Sequence, residues 1–364
     1  MEYKMKKRNL LIGTLITLTM VMTSCGIAKE SKLEETAVVV EATLEETDAE
    51  EILEKKAVEE KDGEIKTVAL KGPTAMGMVD FMKKNDLGEM TDYEYSFSIV
   101  ASVDEVAPLL VKKEADIAAV PANMASVLYH NTEGEIQVLA VNTLGVLYLV
   151  GVGDELESME SLRGKTIYAS GKGATPEYAL NYILMENGID PSTDVTIEWK
   201  SEHTECLTSL LAKEDAIALL PQPFVTTAQV KNENIKVLLD LNQKWEELQE
   251  KKEEKSALLT GVIVGRKEFI EANQEAIKGY LDHYRNSVSF VNENIEEAAA
   301  IIEEYEIVPK EIAQKAIPQC NIVFIDGMEM KEKLSGYLEV LHEQNPKAVG
   351  GSLPEEAFYY IAEE

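Results

Sequence analysis

From Ile65 onward, short apolar runs alternate with longer segments whose apolar residues recur at helical spacing. IKTVAL (65–70), YSFSIVAS (95–102), DIAAVP (116–121), IQVLAVN (136–142) and GVLYLVGV (145–152) predict strands. AMGMVDFMKKN, VDEVAPLLVKKE and ANMASVLYHN between them predict helices. After SLRGK the pattern restarts. KTIYAS (165–170), DVTIEWK (194–200), DAIALLP (215–221), IKVLLDL (235–241) and ALLTGVIVG (257–265) predict further strands. A long helix closes at Gly188, and CLTSLLAKE and QPFVTTAQVKNE predict two more. WEELQEKKEEK (245–255) reads as a polar, exposed helix or loop, and beyond Arg266 nearly everything reads as helix. Strands alternating with helices imply an α/β fold with a mainly parallel sheet covered on both faces.

The two halves echo each other. DIAAVP and DAIALLP each carry an acidic residue, an apolar run and a proline, and Pro121 and Pro221 lie 100 positions apart. IKTVAL is followed by Gly-Pro-Thr and KTIYAS by Gly-Lys-Gly-Ala-Thr, which places Thr74 and Thr175 101 positions apart, each opening a helix. Two units of similar size therefore present corresponding loops in the same order. In open α/β sheets ligands sit beyond the carboxyl ends of the strands, so two facing units would place residues 72–75 and 121–123 opposite 171–176 and 221–224. Asp116 and Asp215 fall at the far, structural ends of their strands.

Charge and the N-terminus change the picture. The formal net charge is −31, which repels phosphate backbones and makes nucleic acid an unsuitable partner. Lys4, Lys6, Lys7 and Arg8 precede a 13-residue apolar stretch, Leu10 to Met22, too short for a membrane span and suited to a signal peptide over 1–24. Residues 25–63 read as an acidic, disordered tether: from 26 to 63 there are 13 Asp/Glu against 5 Lys/Arg and no aromatic residue. The run MTSCG resembles the lipobox of bacterial lipoproteins, with Met22 in place of the usual leucine. That resemblance implies lipidation at Cys25 and an extracytoplasmic protein anchored to the cell membrane. Cys206 and Cys320 read as buried free thiols.

The runs SLRGKTIYASGKGATPEYALNYILMENGID, ALLPQPFVT and CNIVFIDGMEMKEKLSGYLEVLHEQNPKAVGG resemble the solute-binding proteins of ABC importers. The nearest class is the nitrate/sulfonate/taurine and thiamine-precursor type, and the resemblance spans about 64–362. It implies the type II periplasmic-binding-protein fold: two Rossmann-like lobes, here 64–148 with 262–364 and 149–261, joined by strands crossing near 145–151 and 258–264, with a ligand cleft between them. It also implies a small-molecule solute, an ABC permease with its ATPase, a monomer, and no catalysis or cofactor.

Candidate ligand contacts follow from the loops. Gly171, Gly173, Ala174 and Thr175 stand at a helix N-terminus, where small residues admit a ligand to the backbone and free N–H groups attract an anion. Thr74 and Ala75 offer the same chemistry from the other unit, and Asn123 adds an amide. Gln222 could bond a ligand, and Phe224 could cover it or pack in the core; Tyr148 and Trp199 could line the cleft, with the core the favoured reading. The four arginines, Arg8, Arg163, Arg266 and Arg285, all lie outside these loops, which argues against a strongly charged ligand clamped by bidentate arginine. A sulfonate-like monoanion or a polar heterocycle remains. None of His130, His203, His283 and His342 sits in a metal-ligand spacing, and Glu202, His203, Glu205 and Cys206 read as a coincidence at a helix start. Two other readings stand beside the importer: a menaquinone-biosynthesis-like enzyme on the same fold, and a ligand-sensing lipoprotein without a transporter.

Overall fold

The structure is a computed structural model describing residues 63–152, 156–213, 216–250, 252 and 256–362. The leader, Cys25, the tether and Asp215 lie outside the described residues.

Eleven strands form two sheets among the described residues. The first contains β1 (Glu64–Leu70), β2 (Glu94–Val100), β3 (Ile117–Pro121) and β4 (Ile136–Leu144). The second contains β5 (Leu147–Val152), β6 (Thr166–Ser170), β7 (Thr196–Lys200), β8 (Ile217–Pro221) and β9 (Ile235–Asp240). The chain then returns to the first sheet with β10 (Leu259–Arg266) and β11 (Ile322–Ile325). Strand orders are β11-β4-β10-β3-β1-β2 and β7-β6-β8-β5-β9.

Apart from the outer strand β11, the two orders are the same. In each sheet a central strand pairs in parallel with two neighbours, and an antiparallel strand lies beyond. The echo persists at the level of register. Thr67 faces Ile117 and Phe97, and Ile167 faces Ile217 and Ile197; Val68 faces Ala118, and Tyr168 faces Ala218. Each pairing recurs 100 residues on.

Helices fill the connections. In the first half they are α1 (Pro73–Met76), α2 (Val79–Asp86), α3 (Val103–Val111) and α4 (Ala122–Asn131). In the second they are α5 (Thr175–Glu186), α6 (His203–Ala212), α7 (Phe224–Lys231) and α8 (Leu241–Gln249). The remainder is α9 (Lys267–Ala272), α10 (Gln274–Glu293), α11 (Ile295–Glu304), α12 (Lys310–Ala316) and α13 (Gly327–Gln344).

The period-2 alternation of each strand divides the apolar residues between its two faces. Ala118 and Val120 of β3 and Leu219 of β8 enter one layer common to both sheets, which also holds Trp245 and Tyr337. Ile117 and Ala119 face the outer layer of the first sheet, with Phe81, Tyr280 and Tyr284. Ala218 and Leu220 face the outer layer of the second. At the edge away from the loops, Asp116 accepts from Arg266 Nη2 (2.5 Å) and from Lys66 N (3.0 Å), so this carboxylate is structural.

Two expectations are corrected. WEELQEKKEEK is not wholly polar and exposed: Trp245 is fully buried. Its ring packs on Tyr182 at 4.3 Å and Tyr337 at 5.9 Å, and its Nε1 donates to Ser256 Oγ. Asp240 caps this helix by accepting from the amides of Asn242 and Gln243, a cap hidden in the sequence by the preceding strand. The segment after Arg266 also holds β11, antiparallel to β4. Four residues are too few for a period-2 signal to separate from the helices around them.

Candidate functional site

The loop-bearing edges of the two sheets face each other. In the first lobe, β1 ends at Leu70, β3 at Pro121, and Gly261 of β10 lies opposite Pro121 and Thr143. In the second, β6 ends at Ser170, β8 at Pro221, and Leu147 lies opposite Pro221. Helices α4 and α5 start from these edges, which places Asn123 and Thr175 in their first turns.

Hydrogen bonds join the edges. Thr175 Oγ1 lies 2.9 Å from Tyr337 Oη and donates to Asn123 Oδ1 at 3.4 Å, while Asn123 Nδ2 donates to Ala348 O at 3.3 Å. With Tyr337 donating, every hydroxyl in this chain has a partner, which matters because all three side chains are buried. A second link passes through Gln319: its side chain accepts from Gln222 Nε2 at 2.7 Å, and its carbonyl accepts from Tyr148 Oη at 2.9 Å.

The predicted contacts thus fall into four groups. Asn123 and Thr175 meet directly. Thr74 and Ala75 are buried beneath the first edge, where the Thr74 hydroxyl donates to Leu70 O and the Ala75 amide donates to Gly72 O. Gln222 commits its Oε1 to Thr226 and its Nε2 to Gln319. In the glycine loop, Gly171 and Gly173 have φ of 82° and 80°, the left-handed region open to glycine. A Cβ on Gly171 would also lie 2.8 Å from Pro176 Cγ. The Ala174 amide donates to Gly171 O, and the Gly173 amide donates to Glu177 Oε2 at 2.6 Å.

Sequence reasoning missed several residues. Ser170 Oγ lies 2.5 Å from His203 Nδ1, and the His203 ring packs on Phe224 at 5.3 Å. Burial lowers the His203 pKa to about 4, so the ring is neutral at pH 7. Burial raises the Cys206 thiol, which also interacts with Ser170. The EHTEC run was visible, but its partner Ser170 lies 33 positions away. Burial likewise raises the Asp240 carboxyl, against the two amide bonds that lower it. Under the first edge, the buried Asn142 Nδ2 and Tyr284 Oη have no partner among the described residues. Gly261 has no space for a side chain there: a Cβ would lie 2.4 Å from Asn142 Oδ1 and 2.6 Å from Thr74 Cγ2.

Beside the glycine loop a groove of about 890 Å³ runs between α5 and α13, lined by Gly173, Glu177, Tyr178, Val340 and Gln344 among others. Among the described residues no group of three or more His, Cys, Asp or Glu is placed to hold a metal ion. Ser170 and His203 form a hydroxyl–imidazole pair, yet among the described residues no carboxylate hydrogen-bonds His203 Nε2 to orient it as a base. No described helix is long and apolar enough to cross a membrane.

Two lobes of matching topology, with polar loops facing across their carboxyl edges, define a bilobal solute-binding protein of the type II periplasmic-binding-protein fold. Residues 82–314, more than half of the chain, match the family described as ABC transporter, phosphonate, periplasmic substrate-binding protein, and the chain belongs to that family. Among solved structures, an ABC transporter protein from Parabacteroides distasonis is 25% identical, over 83% of this chain and 100% of that one, with a TM-score of 0.70. The periplasmic aliphatic sulphonate binding protein of Escherichia coli is 11% identical, over 83% and 94%, with a TM-score of 0.65. The alkanesulfonate-binding protein of Xanthomonas axonopodis pv. citri, solved with MOPS, is 9% identical, over 82% and 97%, with a TM-score of 0.59. No curated protein matches the chain in sequence. Membership makes this a periplasmic-type binding component with a small-molecule ligand and an ABC permease as partners.

Proposed function

We propose that this chain is a monomeric receptor lipidated at Cys25 and held outside the cytoplasmic membrane. There it captures a small organic solute between the lobes 64–148 with 262–364 and 149–261, and delivers it to an ABC permease. The solute is a sulfonate-like anion or a thiamine-precursor-like heterocycle. The observation that carries this reading is the bond chain from Tyr337 through Thr175 and Asn123 to Ala348. It couples the first turns of the helices that follow β6 and β3, the loops between which a solute would lie. Bonds formed only when the lobes approach favour the closed state, and a solute that adds its own contacts there shifts the population further.

Native mass spectrometry of the purified full chain tests the reading: a bound small molecule, lost on denaturation, is expected. Adding the identified solute at about 100 times its Kd should stabilise the fold by about 2.7 kcal/mol. A chain that carries no solute and gains no thermal stability across sulfonates, pyrimidines and nitrate would overturn it. Metabolic labelling with a fatty-acid probe tests the anchor, and a Cys25→Ser chain should lose the label.

A further inference from the structure

Beyond α13 the chain is fixed along one face of α4. Asn123, Ser126 and His130 stand at i, i+3 and i+7 of that helix, a spacing that lines up one face. Each bonds a main-chain carbonyl of the passing segment. Asn123 Nδ2 donates to Ala348 O at 3.3 Å, Ser126 Oγ to Val349 O at 2.6 Å, and His130 Nε2 to Ser352 O at 2.7 Å. Ala348 and Val349 are buried, in a short 3₁₀ turn, Pro346–Val349, capped by Asn345, whose Oδ1 accepts from Lys347 N. Gly350 leaves the turn at a φ of 92°, and a Cβ there would stand 2.6 Å from the His130 ring. The segment thus lies directly against α4.

The same segment reaches α5, which follows β6 of the second sheet, whereas α4 and α13 follow strands of the first. Asn345 Nδ2 donates to Tyr178 Oη at 3.1 Å, and Gln344 Nε2 donates to Tyr178 O at 3.2 Å. Thr175, one turn earlier on α5, holds Asn123 and Tyr337. The bonds close a ring: Thr175 to Asn123, Asn123 to Ala348, Ala348 N to Asn345 O, Asn345 to Tyr178, and Tyr178 back along α5. Its two attachments to α5 differ in exposure. Thr175, Asn123 and Tyr337 are buried, whereas Tyr178, Gln344 and Asn345 line the 890 Å³ groove, where water can replace their bonds.

Resting on the solute-receptor reading, we propose that residues 344–352 are a strap that sets how readily the lobes part. Its carbonyls fix Asn123 at the edge of the first lobe. Gln344 and Asn345 hold α5 of the second lobe, which makes them positioning residues for capture that act without touching the solute. Release starts at Tyr178, where solvent competes.

The test follows lobe separation in the full chain with no ligand added. Spin labels are attached at Glu89→Cys and Glu233→Cys, exposed positions on the two lobes, in a Cys25→Ser background; Cys206 and Cys320 are buried. Double electron–electron resonance then gives the distribution of interlobe distances. Tyr178→Phe removes one hydroxyl and keeps the ring, and Gln344→Ala removes the neighbouring bond. Each should raise the ratio of separated to closed chains about fivefold, because each loses a hydrogen bond that only the closed form makes. A distribution unchanged from the wild type, with only the unfolding temperature lowered, overturns the proposal, since the bonds would then be structural alone. Native mass spectrometry of the same chains keeps the two readings apart: a chain that carries no solute removes the receptor reading, while the distance shift decides the strap.

Discussion

Gly261→Ala tests how tightly the first edge is built. The added Cβ would stand 2.4 Å from Asn142 Oδ1 and 2.6 Å from Thr74 Cγ2, roughly 1 Å inside ordinary van der Waals contact. The strand cannot retreat, because Gly261 pairs with Pro121 on one side and Thr143 on the other. Thr74 is held by its hydroxyl on Leu70 O, and Asn142 Oδ1 accepts from Thr143 Oγ1. Overpacking of this kind costs about 2–3 kcal/mol, which lowers the Tm of a domain this large by about 4–8 °C. The same strand supplies a control. A Cβ on Gly265 meets only the tips of Ile270 and Leu139, at 3.0 Å and beyond, which can shift; Gly265→Ala should cost less than about 1 kcal/mol. Urea unfolding monitored by circular dichroism and differential scanning calorimetry read both. Adding Asn142→Ala to Gly261→Ala should recover part of the loss. If Gly261→Ala is no more costly than Gly265→Ala, or if Asn142→Ala gives no recovery, the edge is not packed as described.

Three further outcomes are expected. Trp245→Ala removes the indole shared between Tyr182 and Tyr337 and should cost about 3–5 kcal/mol, read as a lower urea midpoint; a loss below about 1 kcal/mol would refute its burial. His203 has a folded pKa depressed to about 4 from the ordinary 6.5, so the unfolded chain binds the extra proton between those values; stability is complete above pH 6.5 and falls as pH drops toward 4. NMR of the imidazole should show it neutral at pH 5.5, and His203→Gln should flatten the stability profile in that window. Cys320 is fully buried with its thiol pushed up to about 12, so iodoacetamide at pH 8 should leave it unlabelled until urea unfolds the chain.

Much of the fold was legible because each strand of the repeated unit announces itself locally. DIAAVP and DAIALLP are short apolar runs bounded by proline, and their 100-residue offset survives as identical registers with β1 and β6. Trp245 was not legible: its neighbours Glu246 and Glu247 are polar, and the aromatic partners that bury it come from 63 residues before and 92 after. The site was legible only as loops. Thr175 and Asn123 stand in the sequence as separate loop residues, and their junction depends on Tyr337, which comes from α13, 162 positions beyond Thr175. Ser170 meets His203 through the packing of a strand on a helix rather than through any spacing along the chain. Gln222 looked free because Gln319 lies 97 positions later.

The exchange of antiparallel strands between the halves sets the order in which the fold can be completed. Every strand of the second sheet comes from one continuous stretch, 147–240, so all its pairings lie within that stretch, whereas β3 and β10 pair across well over 100 residues. The first sheet must wait for β10, which pairs with both β3 and β4. A nascent chain that ends before Leu259 therefore holds a finished second sheet. Its β1, β2 and β3 are paired, but β3 exposes the edge that β10 will later cover, an edge ready to pair with another chain. The C-terminal part of the sequence thus covers the strand edge that the first part leaves open.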